Sequence, residues 1–250
     1  YDNIKQNDVS FSQKDIFNKI TWIKDKADNL YLPNYTDVLR VAFTYKFKRG
    51  KLQDLVSLLS GRDFETREYR DDIIEDSYRK LFEGVRAFVD QTNFERFLMI
   101  FKSAGIIDES LIRSRSVVNF GYILFLLLKE KGVRPDVIER IVKRWLVMSI
   151  ITQRYTSSPE SQFDVDVRRI NEAEDIVQYI EEELARQLND GFWNGILVEN
   201  FNTSVASSPY WKIYLAAQIT LNESAFLSKD MKVRTLVENR GDVHHIFPKD

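Results

Sequence analysis

Residues Val117 to Leu128 read VVNFGYILFLLL, twelve positions without a charged side chain. A helix made of them is apolar on every side and has no face to offer water. The run is too short to cross a bilayer, which takes about 20 residues. We read it as the central helix of a packed core, around which the other helices must be amphipathic.

The rest of the chain fits that demand. Gly (9) and Pro (5) are scarce among 250 residues, which favours long regular elements over a turn-rich β fold. Ser12 with Asp15 resembles a capping box, and Phe17, Ile20 and Ile23 then recur on one face until Leu30 and Pro33. Thr36 is the expected N-cap of a second helix that stops at Gly50, and Leu52–Leu59 is a third, ended by Gly61. A longer helix is expected from Thr66 to Asp90, then Phe94–Ala104 up to Gly105, then the central Val117–Lys131. Gly132 separates that from a helix opened by Pro135 and carrying Ile141, Trp145 and Met148. The stretch Thr156–Glu160 reads as a loop and helix start. Ala173–Leu188 is amphipathic with an acidic outer face, Glu181-Glu182-Glu183. Gly191 and Gly195 bracket an expected turn, and Pro209 introduces Tyr210–Leu221.

The fold class expected is therefore all-α, a multi-helix bundle of roughly nine to eleven helices, with a short strand at Val243–Phe247. The organisation expected is an N-terminal helical subdomain at 1–115, a C-terminal one at 116–240, and a distinct segment at 241–250.

Formal net charge is −2, so bulk electrostatics do not announce a nucleic-acid binder. The absence of cysteine removes disulfides and thiolate zinc sites from consideration and fits a reducing, cytoplasmic setting. No signal-peptide pattern opens the chain. The chain begins at Tyr1, and both ends read as cuts through a longer polypeptide.

The sequence contains two histidines, and they are neighbours: His244 and His245. On a regular strand adjacent side chains point to opposite faces, so by themselves they read as one surface and one packed residue. Their setting adds more. Asp242 is followed by His244-His245-Ile246-Phe247-Pro248-Lys249, which resembles the first element of the HNH, or ββα-metal, nucleases. There Ile246 would anchor the strand to its fold, and Pro248, with no N–H to donate, would end its pairing.

The resemblance implies roles. His245 would be the general base that activates water against a phosphodiester, since an imidazole titrates near pH 6.5. His244 would be a ligand of a divalent metal, magnesium in this family reading, which neutralises charge on the scissile phosphate. The family's further Asn and His or Asn lie downstream of its first strand. The sequence to Asp250 contains neither, so the chain as given is not expected to cleave DNA or to hold the metal by itself.

Three other segments extend the likeness: RWLVMSIITQRYTSSPESQFDVD (Arg144–Asp166), WKIYLAAQI (Trp211–Ile219) and AFLSKD (Ala225–Asp230). In this order, and followed by RGDVHHIFPKD, they resemble the helical region of the GmrSD-type restriction endonucleases, from about Val117 to Asp250. That resemblance implies a helical middle module in a modification-dependent, phage-defence DNA endonuclease. Its partners would be DNA, a ParB-like nucleotide-using N-terminal domain and a C-terminal HNH domain, in a protein able to homo-oligomerise. The N-terminal domain's DGQQR-like motif does not occur here.

Candidates for DNA contact are Arg154, for a phosphate, Tyr155, for stacking on a base, and Lys249 beside the histidines. Arg154 also has internal partners within reach, Glu160, Asp164 or Asp166, and pairing that fixes the loop is the favoured expectation. Arg113, Arg115, Arg168 and Arg169 read as solvated positions. Trp22, Trp145, Trp193 and Trp211 read as core, and Asp71-Asp72-Glu75-Asp76 as a solvated helix face. The alternative function is a non-enzymatic helical module for protein–protein interaction or dimerisation, which the near-neutral charge and aromatic-rich helices also fit.

Overall fold

The computed structural model describes residues 13–26, 30–64, 66–112, 114–202, 205–226, 228 and 230–239. Among them the chain is all-α, with α1 (Gln13–Lys26), α2 (Tyr35–Phe47), α3 (Leu52–Leu59), α4 (Asp71–Phe88), α5 (Gln91–Ser103) and α6 (Arg115–Glu130). There follow α7 (Pro135–Ile151), α8 (Pro159–Glu172), α9 (Ile176–Gln187), α10 (Leu197–Phe201), α11 (Pro209–Thr220) and α12 (Val233–Asn239). Strand-like pairing among the described residues is limited to two isolated bridges, Arg62 with Tyr69 and Ser224 with Lys232. None of these helices is long and apolar enough to cross a membrane.

Helix α6 is the central element. Every residue from Val117 to Leu128 is buried, and the helix packs on α2 to one side and α7 to the other. Its polar members are satisfied internally, as burial requires. Asn119 Nδ2 donates to Asp37 Oδ1 at 2.9 Å and its Oδ1 accepts from Tyr31 Oη at 2.7 Å. Tyr122 Oη donates to the Phe88 carbonyl at 2.8 Å, while its ring stacks on Phe97 at 4.5 Å. Burial, and next the nearby Asp37 charge, push the Tyr31 hydroxyl well above its ordinary pKa, so it stays a donor.

Close backbone approaches explain two glycines. At Gly84 of α4 an added Cβ would lie 2.6 Å from the Ala42 carbonyl oxygen of α2. Gly105 follows α5 at φ 75°, with its N–H bonded to the Lys102 carbonyl and the Ile106 N–H to the Phe101 carbonyl. That is a Schellman ending, and Ile106 is fully buried behind it.

Several element boundaries differ from the sequence expectation. The cap of α2 is Asn34, not Thr36. Asn34 Oδ1 accepts from Asp37 N–H and Asp37 Oδ2 accepts from Asn34 N–H, each at 2.9 Å. The reciprocal pair places Thr36 inside the first turn. Replacing Asn34 by alanine should lower stability by about 1 kcal/mol, read as a shift in the urea midpoint at unchanged slope. The helix expected from Thr66 begins only at Asp71. Before it the chain turns back instead, with Arg67 at φ 64° and the Arg70 N–H on the Gly61 carbonyl. The helix expected from Ala173 begins at Ile176, because Asp175 accepts from the N–H groups of Val177 and Gln178. Gly191 and Gly195 do not form a turn. They lie in a continuous helical stretch with a π-helical segment, Phe192–Ile196, leading into α10.

One hydrophobic cluster runs from Ile23 to Val233 and includes residues on both sides of position 115/116. The expected Ser12 cap and Val243–Phe247 strand lie outside the described residues.

Candidate functional site

The segment that carries Arg154 and Tyr155 is set by the end of α7. Gln153 takes a left-handed conformation at φ 53°, its N–H on the Ile150 carbonyl, and Arg154 N–H returns to the Ser149 carbonyl at 3.1 Å. This reversal aims both side chains back at the protein interior.

Arg154 meets Asp166 of α8 through two parallel bonds, Nε to Oδ2 at 2.8 Å and Nη2 to Oδ1 at 2.6 Å. Its Nη1 reaches Glu183 of α9 at 3.0 Å, and its guanidinium lies 5.1 Å from the Trp145 ring. Tyr155 Oη donates to Asp166 Oδ2 at 2.7 Å and accepts from Trp145 Nε1 at 3.2 Å. Gln162 Nε2 donates to Asp166 Oδ1 at 2.9 Å, which completes the carboxylate's shell.

The electrostatics follow. Burial disfavours the Arg154 charge, but the hydrogen bonds and charge of Asp166 outweigh it, and the pKa rises above its ordinary value. Burial likewise pushes the Glu183 carboxyl up, and the Arg186 hydrogen bond together with the Arg154 charge overcome it. The net position is below the ordinary 4.5. Burial, with Asp166 next in weight, pushes the Tyr155 hydroxyl well above its usual range.

Of the three internal partners considered for Arg154, Asp166 is the one it takes. Glu160 pairs with Arg40 at 3.0 Å, and Asp164 accepts from the Gly50 N–H at 3.0 Å and pairs with Arg168 at 2.5 Å. Arg154 is 7% exposed and Tyr155 1%, so the polar atoms proposed for phosphate contact and base stacking face inward. The structure brings these two together on one carboxylate. His244, His245 and Lys249 lie outside the described residues, as does Arg113.

Two features escaped the sequence. Glu183, which its neighbours Glu181 and Glu182 place on an outer acidic face, is buried against Arg154, Arg186 and Gln187. Its only signal was a position on the inward side of α9, in line with Ile176, Ile180 and Leu184. Trp193 and Trp211, expected in the core, are 45% and 41% exposed. With Ile196, Phe201, Tyr214, Leu221 and the 81% exposed Phe226 they give the C-terminal part of the described chain an apolar exterior. Trp211 stacks on Tyr214 at 5.4 Å, and Phe201 meets Tyr214 edge-on at 6.0 Å. Trp145 is core as expected, and Trp22 is partly buried against the same cluster. The acidic positions on α4 are an exposed ion-paired face, Asp72 with Arg70 and Asp76 with Arg79 and Lys80.

Fold and residues together define an all-α, multi-helix protein with a fully paired ionic centre and an exposed aromatic flank. Comparison with protein-family models, with curated proteins and with solved structures finds no match for this chain.

Proposed function

We propose that this chain is the helical middle module of a modification-dependent DNA restriction endonuclease of the GmrSD type. It would link a nucleotide-using sensor domain to an HNH nuclease domain. The observation that carries the reading is the order of the four quoted segments, which closes on His244-His245-Ile246-Phe247-Pro248-Lys249. The all-α, multi-helix architecture of the described residues is compatible with a helical module.

In this reading His245 is the general base, His244 the candidate ligand of a divalent metal such as magnesium, and Lys249 a phosphate contact. The metal would supply charge neutralisation at the phosphate. Arg154 and Tyr155 serve the module by locking the α7–α8 loop. Replacing His245 by alanine in the intact protein should lower cleavage of modified DNA by roughly 10²–10⁴-fold. Cutting at the wild-type rate would remove the catalytic assignment.

One observation favours a second reading, a helical protein-interaction module. The aromatic and aliphatic side chains exposed on α10, α11 and the segment after them fit a protein partner better than a polyanion. A gel-shift with duplex DNA over a salt series separates the two. Salt-sensitive retardation supports a DNA path, and no retardation at low salt supports the interaction module.

A further inference from the structure

Helix α11 repeats at the surface the feature that makes α6 a core helix. Its twelve residues, PYWKIYLAAQIT, hold one charged side chain, Lys212. A helix that is apolar all round belongs in an interior. Only one side of α11 has one. Tyr210, Ala216 and Ile219 are buried, and Ile213 packs with Tyr210 against Ile151 and Phe192. The opposite side is open among the described residues. Trp211 and Tyr214 are each 41% exposed, and Leu221, just past the helix end, is 71% exposed.

The open side has the spacing of a helix-pairing seam. At about 100° per residue, Trp211, Tyr214, Gln218 and Leu221 all lie within about 40° of the direction opposite Ala216. Their intervals are three, four and three, the rhythm along which one helix packs on another. Leu221 continues the helical turn, with its N–H on the Ala217 carbonyl. Phe201 of α10 meets Tyr214 at 6.0 Å and widens the seam, and Val198, three residues before it, is 61% exposed.

Three observations commit the occupant to a second copy of this chain. The seam reads the same from both ends. About a two-fold axis at Ala216, Trp211 falls opposite the second copy's Leu221, and Tyr214 opposite the second copy's Gln218. An antiparallel pair of α11 helices thus sets a larger side chain against a smaller one at each level, with residue i meeting j and j meeting i. The central level is polar, Gln218 Nε2 donating to Tyr214 Oη at 3.0 Å, and a polar level inside an apolar seam fixes register. Charge agrees. From Trp193 to Leu221 the sequence carries one carboxylate, Glu199, and one ammonium, Lys212, so two copies meet without net repulsion and a polyanion finds no attraction. The area agrees as well. With 150–250 Å² for an aromatic side chain, Val198, Phe201, Trp211, Tyr214 and Leu221 expose on the order of 500 Å². Two such faces bury about 1,000 Å², the lower bound for a specific interface.

We propose that this chain self-associates through the α10–α11 face, as a two-fold dimer whose α11 helices run antiparallel and cross at Ala216. The dimer rests on the interaction-module reading, whose partner it names, and does not need the nuclease one.

The test is sedimentation of the whole chain over a concentration series. A reversible monomer–dimer equilibrium is expected, with half-association on the order of 10–100 μM for an interface of this size. Leu221→Arg and Trp211→Glu each place a charge in the seam and should weaken association at least tenfold, while the melting temperature of the monomer stays nearly unchanged. An equimolar mixture of the two variants should recover association, because one Glu–Arg pair and one Trp–Leu pair then face each other. Positions 211 and 221 are about 15 Å apart along one helix, so that pair cannot form within a chain. A wild type that stays monomeric at every concentration overturns the proposal and leaves the face to a different protein. Undiminished association in Leu221→Arg overturns it too, and decides the matter even where Trp211→Glu does not fold. A dimer without recovery in the mixture overturns the antiparallel register. The gel-shift with duplex DNA keeps the two claims apart. A monomer that gives no retardation removes the dimer and leaves the interaction module, whereas a dimer with salt-sensitive retardation does the reverse.

Discussion

Replacing Arg154 by alanine is expected to destabilise the protein by about 3–5 kcal/mol, the range for removing one partner of a buried ion pair. That is a large share of the roughly 5–15 kcal/mol that holds a typical domain folded. The reason lies in what stays behind. Asp166 is wholly buried and Glu183 nearly so, and Arg154 is the cation they share. Without it, two carboxylates remain in a poorly hydrated interior, helped only by Tyr155, Gln162, Gln187 and the outer Arg186. Arg154→Lys should recover part of the loss, since an ammonium restores the charge but not the two parallel bonds.

The loss should also depend on pH. In the wild type the Glu183 carboxyl is held below its ordinary 4.5, so its stabilising contribution is complete above that value. It fades as the pH falls through the lowered folded-state pKa. In Arg154→Ala the attraction that opposed burial is gone, the carboxyl rises, and protonation relieves it earlier on acidification. The gap between wild type and variant should therefore be widest near neutral pH and narrow below about pH 4.5. Urea unfolding at a series of pH values measures it. A neutral-pH loss under about 1 kcal/mol would show that water reaches the centre and that the pair is an ordinary surface one.

Gly105→Ala should cost nearly as much, roughly 2–4 kcal/mol, for a different reason. The residue sits at φ 75°, where an L side chain is strained, and its new Cβ would fall 1.9 Å from the Ala216 carbonyl oxygen of α11. Thr220 Oγ1 would be 2.6 Å away. The obstacle is backbone, so α5 and α11 must separate. Gly132→Ala provides the comparison, at φ 72° but with nothing within 4 Å of the added carbon. It should cost only about 1 kcal/mol, the conformational part alone. Thermal unfolding of the two variants side by side checks both numbers, and equal losses would contradict the close α5–α11 approach.

Much of this architecture was legible in the sequence because it rests on local chemistry. An apolar run too short for a membrane reads as a central helix, and α6 is one. Pro135 and Pro209 mark helix starts because a first-turn residue needs no N–H donor. The departures arise where tertiary context decides. Thr66 has a helical pattern after it, but Asp63 and Arg67 turn the chain first. Glu183 looks solvated beside Glu181 and Glu182, until a cation distant in sequence claims it. Trp193 and Trp211 look like core because periodicity records which residues are apolar, not whether anything covers them. Arg154 could be paired by proximity to Asp166, whereas the approach of Gly105 to the Ala216 carbonyl depends on packing that no spacing records.

The π-helical segment at Phe192–Ile196 has a consequence for how this region tolerates change. A π turn accommodates one residue more than an α turn. The wider turn takes up that extra residue, so the residues after it keep the bearing they would have on a regular helix. Deleting a single residue there lets the stretch relax into an unbroken α-helix with Val198 and Phe201 near their present bearing. Inserting one has no such outlet and turns them by about 100° about the axis. This stretch should therefore tolerate the loss of a residue better than the gain of one.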